Sequence, residues 1–104
     1  MFNQMVEHTS APLDQTFGAL AHPIRREMLR RLSSREMRVT ELAAYFDTSL
    51  AAAAKHIGQL ERAGLVSRRR SGRAHWISIE AAPLEDTASW LAQYQSIRMR
   101  RPEA

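Results

Sequence analysis

A chain of 104 residues, 44% of them hydrophobic, is long enough for one domain with one modest core and too short for a second. Fifteen Lys and Arg against eleven Asp and Glu leave a net charge of +4, which favours polyanionic partners. The lack of any cysteine excludes disulfides, thiolate catalysis and Cys-based zinc or arsenic sites. No apolar run approaches the roughly 20 residues that span a bilayer, and the N-terminus lacks a charged and then apolar leader pattern, so the expected location is the cytoplasm.

Residues 1–12, MFNQMVEHTSAP, show no sustained period and are expected to form an arm or a loose first turn, in which Met1, Phe2, Met5 and Val6 are available to a partner subunit. The single folded domain is expected over residues 13–98. A first short helix is expected from Pro12 to Leu20, with Leu13, Phe17 and Leu20 at helical spacing. Pro23 suits the first position of a second helix, PIRREMLRRL. That helix places Ile24, Met28, Leu29 and Leu32 inward and Arg25, Arg26, Arg30 and Arg31 outward, where Glu27 and Arg31 make an i,i+4 pair. The outward arginines are read first as a solvated face. Ser33, Ser34 and Arg35 form a link.

Residues 39–62, VTELAAYFDTSLAAAAKHIGQLER, read as two helices joined by a tight turn. In the first, Leu42, Ala43 and Phe46 recur along one face, and Asp47-Thr48 break the pattern. Ser49 is a good N-cap for the second, because its hydroxyl can accept from an orphan backbone N–H one turn on. In that helix Ala53, Ile57 and Leu60 fall on the core side, leaving Ala51, Ala54, Lys55, Gly58 and Arg62 on the other. Ala63-Gly64 ends it. Spacing alone also suits an ordinary helical hairpin.

Beyond Gly64 the period changes to that of strands. Leu65–Arg70 and Ala74–Glu80 read as a β-hairpin reversing at Ser71-Gly72, with His75, Ile77 and Ile79 alternating. Arg68, Arg69, Arg70 and Arg73 concentrate four charges near its tip, which would repel one another without a counter-charge. A phosphate backbone supplies one, and a charged edge that resists aggregation is the simpler explanation against it. Pro83 opens the last helix, with Leu84, Ala88, Leu91 and Tyr94 on one stripe that Trp90 and Ile97 widen. That aromatic-rich face is broad enough to cover core and to meet a two-fold partner. Residues 99–104 are expected to be a frayed basic tail.

The runs FGALAHPIRREMLRRL, VTELAAYFDTSLAAAAKHIGQLERAGLV and RRRSGRAHWISI, in that order, resemble the ArsR-type (ArsR/SmtB) family of winged helix-turn-helix transcriptional repressors over residues 17–80. The resemblance implies a mainly α fold with a small β-hairpin, in the order α-α-α-α-β-β-α. It implies a homodimer built from the first and last helices, here through Leu13, Phe17, Leu84, Trp90, Leu91, Tyr94 and Ile97. The partner is double-stranded operator DNA. By position, Ser49, Leu50, Ala51, Ala54, Lys55, His56 and Gln59 fall on the family's recognition helix, and Arg68, Arg69, Arg70 and Arg73 on the wing, with Arg73 at its tip.

Two departures from the family pattern shape the expectations. Alanine can only touch a thymine methyl, so Ala51 and Ala54 leave Lys55 and Gln59 as the polar base readers, with Ser49 and His56 on phosphates. Shape-dependent readout of an A·T-rich operator is then expected, with a steep salt dependence. The family's metal ligands are also missing: Leu42-Ala43-Ala44 stand where a Cys pair would, and the last helix has no histidine. No cofactor or metal is expected, His8, His22, His56 and His75 being scattered singly, with a His8 site between subunits the remote exception. The inducer is not encoded legibly. No nucleophile–base pair or glycine-rich phosphate loop suggests an enzyme. The alternative reading is a protein–protein interaction or antitoxin-like module that uses the C-terminal helix.

Overall fold

The computed structural model describes the backbone of residues 2–100 and the side chains of residues 11–97. Expectations that fall on the side chains of Met1, Phe2, Met5, Val6 and His8, and on the tail beyond Arg100, lie outside the described residues.

The elements run α1 (Phe2–Leu20), α2 (Pro23–Leu32), β1 (Met37–Arg38), α3 (Val39–Ala43), α4 (Leu50–Arg62), β2 (Val66–Ser71), β3 (Ala74–Ile79), α5 (Ala81–Ala92) and α6 (Gln95–Arg100). The core is formed where α2, α3 and α4 meet the inner face of the sheet. Met28, Leu32, Leu42, Ile57, Leu60, Leu65 and Ile77 are fully buried there. Of the inward set expected of α2, Met28, Leu29 and Leu32 are buried and Ile24 is partly buried against the core; the set expected of α4, Ala53, Ile57 and Leu60, is buried throughout.

α3 ends at Ala43, so Phe46 lies outside the helix it was expected to belong to, and the link to α4 spans residues 44–49 rather than a tight turn at Asp47-Thr48. Beyond that, four features differ from the expectations. The first helix does not begin at Pro12 after a loose arm; it is helical from Phe2, with Pro12 inside it. Proline fits a first helical turn best because its missing N–H has no partner there, but within a helix it removes one bond and leaves the rest of the ladder available. Thr16 donates its hydroxyl back to the Pro12 carbonyl at 3.2 Å. The last helix starts at Ala81, not Pro83, which places the proline at the third position, still among the amides that have no intrahelical acceptor. It also breaks after Ala92, so the expected single helix is two. Thr87, not Ala88, is the buried position of α5, with its hydroxyl donated to the Pro83 carbonyl at 2.9 Å and Leu84 packed partly against the core beside it.

The fourth difference is a third strand. Met37 and Arg38 pair antiparallel with Ile77 and Trp76, giving the sheet order β1-β3-β2. Two residues carry no readable period, so only the partner strand reveals this one. The hairpin is present, but it reverses one residue later than expected: Ser71 is still a strand residue opposite Ala74, and the turn is Gly72-Arg73 rather than Ser71-Gly72. Gly72 takes φ +63° at the first turn position, the left-handed region that tight hairpins need there.

Two arginines read as a solvated face have a definite task. Arg25 donates to the carbonyls of Ala19 (2.7 Å) and Gly18 (3.2 Å), and Arg26 to that of Leu20 (2.7 Å). These are the orphan carbonyls at the end of α1, where a cation also opposes the negative end of the helix dipole. Arg30 and Arg31 stay with Glu27, at 2.6 and 3.0 Å, and Arg31 also lies 3.8 Å above the Tyr45 ring.

Candidate nucleic-acid interface

α3, a turn and α4 form the helix-turn-helix unit. The Glu41 carboxylate accepts from the Arg38 amide at 3.3 Å and fixes the entry to α3. A hydrogen bond from Arg35 lowers the Glu41 pKa, with burial opposing it. At the turn, Ser49 is extended (φ −70°, ψ 157°) and its hydroxyl accepts from the Ala52 amide at 3.0 Å, as expected of an N-cap. The chain leaves α4 through Gly64 at φ +77°, the left-handed C-terminal stop that glycine accommodates without a Cβ clash.

With Ala53, Ile57 and Leu60 anchored, α4 turns Ser49, Leu50, Ala51, Ala54 and Lys55 outward, all exposed, while Gln59, also exposed, stands beside Gln15 and Gly18 of α1. Leu50 is 53% exposed, unusual for leucine in a folded domain and the kind of apolar projection that can reach a base edge or a methyl group. A helix with its side chains is about 10–12 Å across, matching a major groove about 12 Å wide.

His56 is placed differently. Its ring lies half-buried against α2, with centroid 4.4 Å from that of His22, and Arg25 Nη1 is 3.1 Å from its Nδ1. The guanidinium can only donate, so Nδ1 accepts and the ring is neutral. Burial lowers the His56 pKa below its usual value, and the charges of His22, Arg25 and Lys55 push the same way. His22 Nδ1 meanwhile accepts from the Ile24 amide at 3.1 Å and caps α2. This cluster ties the recognition helix to α2.

The four wing arginines divide into two pairs. Arg68 meets Glu61 of α4 at 3.0 Å and lies 3.1 Å from His75 Nδ1. Arg69 meets Glu36 at 3.0 Å. Half of the expected unbalanced charge is thus balanced within the chain, by carboxylates brought close only by the fold. The Arg68–Glu61 bridge joins wing to recognition helix and helps to set the angle between them. Arg70 and Arg73 are exposed, and neither meets a carboxylate among the described residues.

Arg73 lines a cleft of about 420 Å³ between the wing and the start of α4, together with Leu50, Ala54 and Arg68. Arg38 and Thr40, at the head of α3, line it too. Sequence reasoning passed over both, although their position at the first helix of the pair was a usable signal. Arg38 also lies on one side of Trp76, 5.6 Å from the ring, and Arg69 on the other at 5.7 Å, following the register Arg38–Trp76–Arg69 across the sheet.

Comparison with known proteins bears on this geometry. A helix-turn-helix domain family model matches residues 20–69, the segment from the end of α1 into the wing. The Transcriptional repressor SdpR of Bacillus subtilis (strain 168) is 26% identical over 82 residues, covering 79% of this chain and 91% of its own. A crystal structure of an ArsR family transcriptional regulator is 38% identical, covers 88% of this chain and 94% of its own, and superposes with a TM-score of 0.79. The chain belongs to the ArsR family of winged helix-turn-helix transcriptional regulators. Membership makes it a DNA-binding regulator and not an enzyme. A further relative, from Mycobacterium bovis, is a homodimeric winged helix-turn-helix DNA-binding domain, 26% identical over 92% of this chain and 86% of its own with a TM-score of 0.67.

On the side formed by α1 and α5, Phe17 packs edge-to-face on Trp90 at 5.9 Å and Trp90 on Tyr94 at 5.3 Å. Phe17, Trp90, Leu91, Tyr94 and Ile97 are between 39% and 50% exposed, so this ArsR-family chain presents a contiguous apolar patch. Leu13 is partly exposed nearby, whereas Leu84 turns towards the core. Among the described residues no helix is long and apolar enough to cross a membrane.

Proposed function

We propose that the protein is a homodimeric repressor that binds a two-fold, A·T-rich operator through α4 and the wing and does not respond to metal ions through the family's usual sites. The observation that carries this reading is the pairing, around one cleft, of an outward α4 face with Arg73 and Arg38, whose guanidinium groups form no salt bridge among the described residues. Ser49, Leu50, Ala51, Ala54, Lys55 and Gln59 face the bases or the flanking phosphates. Lys55 and Gln59 are the polar readers, Arg70 and Arg73 the phosphate contacts, and Arg38 and Thr40 join them. Arg68, Arg69 and His56 act indirectly, by holding wing and helix in place. The exposed aromatic patch suits a second copy, and one relative is itself homodimeric. Leu42 and Ala43, which the resemblance puts where the family's cysteine pair would stand, carry no metal-binding side chain and are buried.

The test is binding of the purified protein to its own promoter fragment and to a scrambled duplex across a salt series, without and with zinc. Preference for the promoter, a steep salt dependence and indifference to zinc are expected. Equal weak binding to both duplexes would contradict operator recognition and move a partner-protein role to the front.

A further inference from the structure

A second cleft, of about 420 Å³, lies away from the DNA-facing surface, between α1 and α5. Its walls are mostly apolar or small, with Leu13 and Thr16 from α1 and Pro83, Thr87 and Trp90 from α5, and Gln15 adds an uncharged polar group. Both threonine hydroxyls are already donated to the carbonyls of Pro12 and Pro83, so the walls present mainly their methyl groups. The volume falls within the range of small-molecule sites.

Its charge is distinctive. Asp86 is the one ionised side chain lining it, in a protein of net charge +4, and it meets no Arg, Lys or His among the described residues. A carboxylate and an indole lining one largely apolar cleft are groups that recognise an organic cation, through charge attraction and the π system. We infer that this cleft binds a lipophilic organic cation, a quaternary ammonium or protonated amine carrying an apolar group.

The position gives such a ligand something to act on. Ala63, the C-cap of α4, lines one end of the cleft, and Pro83 lies 4.0 Å from where a Cβ on Gly64 would stand. Trp90 at the other end is the centre of the exposed aromatic patch, while Phe17, Leu91, Tyr94 and Ile97 of that patch do not line the cleft. Occupancy therefore touches both the end of α4 and, through Leu13 and Trp90, the proposed dimer surface itself. This regulatory consequence rests on the repressor reading; the binding itself does not.

The experiment uses the DNA-free protein, so that its outcome is independent of operator recognition. Benzyltrimethylammonium and its uncharged isostere neopentylbenzene are titrated into the 15N-labelled chain, and the Trp90 indole, Ala82 and Thr87 amide signals are followed. The cation should give saturable shifts confined to the cleft, with a dissociation constant of about 1 mM or tighter. The isostere should bind about tenfold more weakly. Asp86→Asn, at an exposed position that leaves the fold intact, should abolish that preference, and Ala82→Phe should block both probes. Equal affinity for the two probes, an unchanged preference in Asp86→Asn, or no saturable shift with the cation would each overturn the inference.

Discussion

Arg73 and Arg68 occupy the same hairpin and are predicted to fail differently. Arg73 has no carboxylate among the described residues, so Arg73→Ala should weaken binding to all duplexes alike and reduce the salt slope by about one, the signature of one lost phosphate contact, with little change in stability. Arg68 is held by Glu61 and His75, so Arg68→Ala should instead cost about 1 kcal/mol of folding stability while leaving the salt slope unchanged. Filter-binding titrations and urea melts of both variants separate the two effects. His56 makes a third prediction. Its pKa is lowered in the folded chain, chiefly by burial, so the unfolded chain takes up the proton first as the medium is acidified. Its contribution to stability is full above the ordinary value of 6.5, declines as the pH falls through it, and levels once the folded state is protonated too. Urea midpoints between pH 8 and pH 5 should fall more steeply for the native chain than for His56→Gln, whose amide oxygen still accepts from Arg25 but does not titrate.

At the scale of the element, α4 has to satisfy two demands at once, a core side and a reading side. Ile57 is fully buried beneath the helix, so Ile57→Ala should destabilise the domain by about 2–5 kcal/mol and lower DNA affinity only through unfolding. Circular dichroism at increasing urea would show this as a lower midpoint. α2 and α4 were readable because their apolar spacing, Pro23, Ser49 and Gly64 all point to the same boundaries. β1 was not, since Met37-Arg38 is defined by its partner strand rather than by its own pattern. The bounds of α1 and α5 are not legible in the sequence, because Pro12 and Pro83 each suit a helix start, whereas one lies within its helix and the other at a third position. Among the wing residues, position on the hairpin was legible and pairing was not. Glu36 meets Arg69, and His56 meets Arg25, only once distant stretches of chain have folded together.

On the scale of the whole molecule, the proposed function assigns the α4–wing surface to DNA and the α1–α5 patch to a second copy. Trp90 links Phe17 to Tyr94, so removing it takes away the centre of the patch. Trp90→Ala should shift the sedimentation coefficient from that of a dimer to that of a monomer and weaken operator binding as a consequence, because one half-site alone supplies half the contacts. A fully dimeric Trp90→Ala would place the subunit contact elsewhere. The most direct test of the account is a hydroxyl-radical footprint of the protein on its own promoter. Two protected patches related by a two-fold axis, with centres about 10 base pairs apart or a multiple of that, are predicted for a dimer that lays two α4 helices in successive major grooves. A single protected patch, or uniform protection that shifts with duplex length, would contradict it.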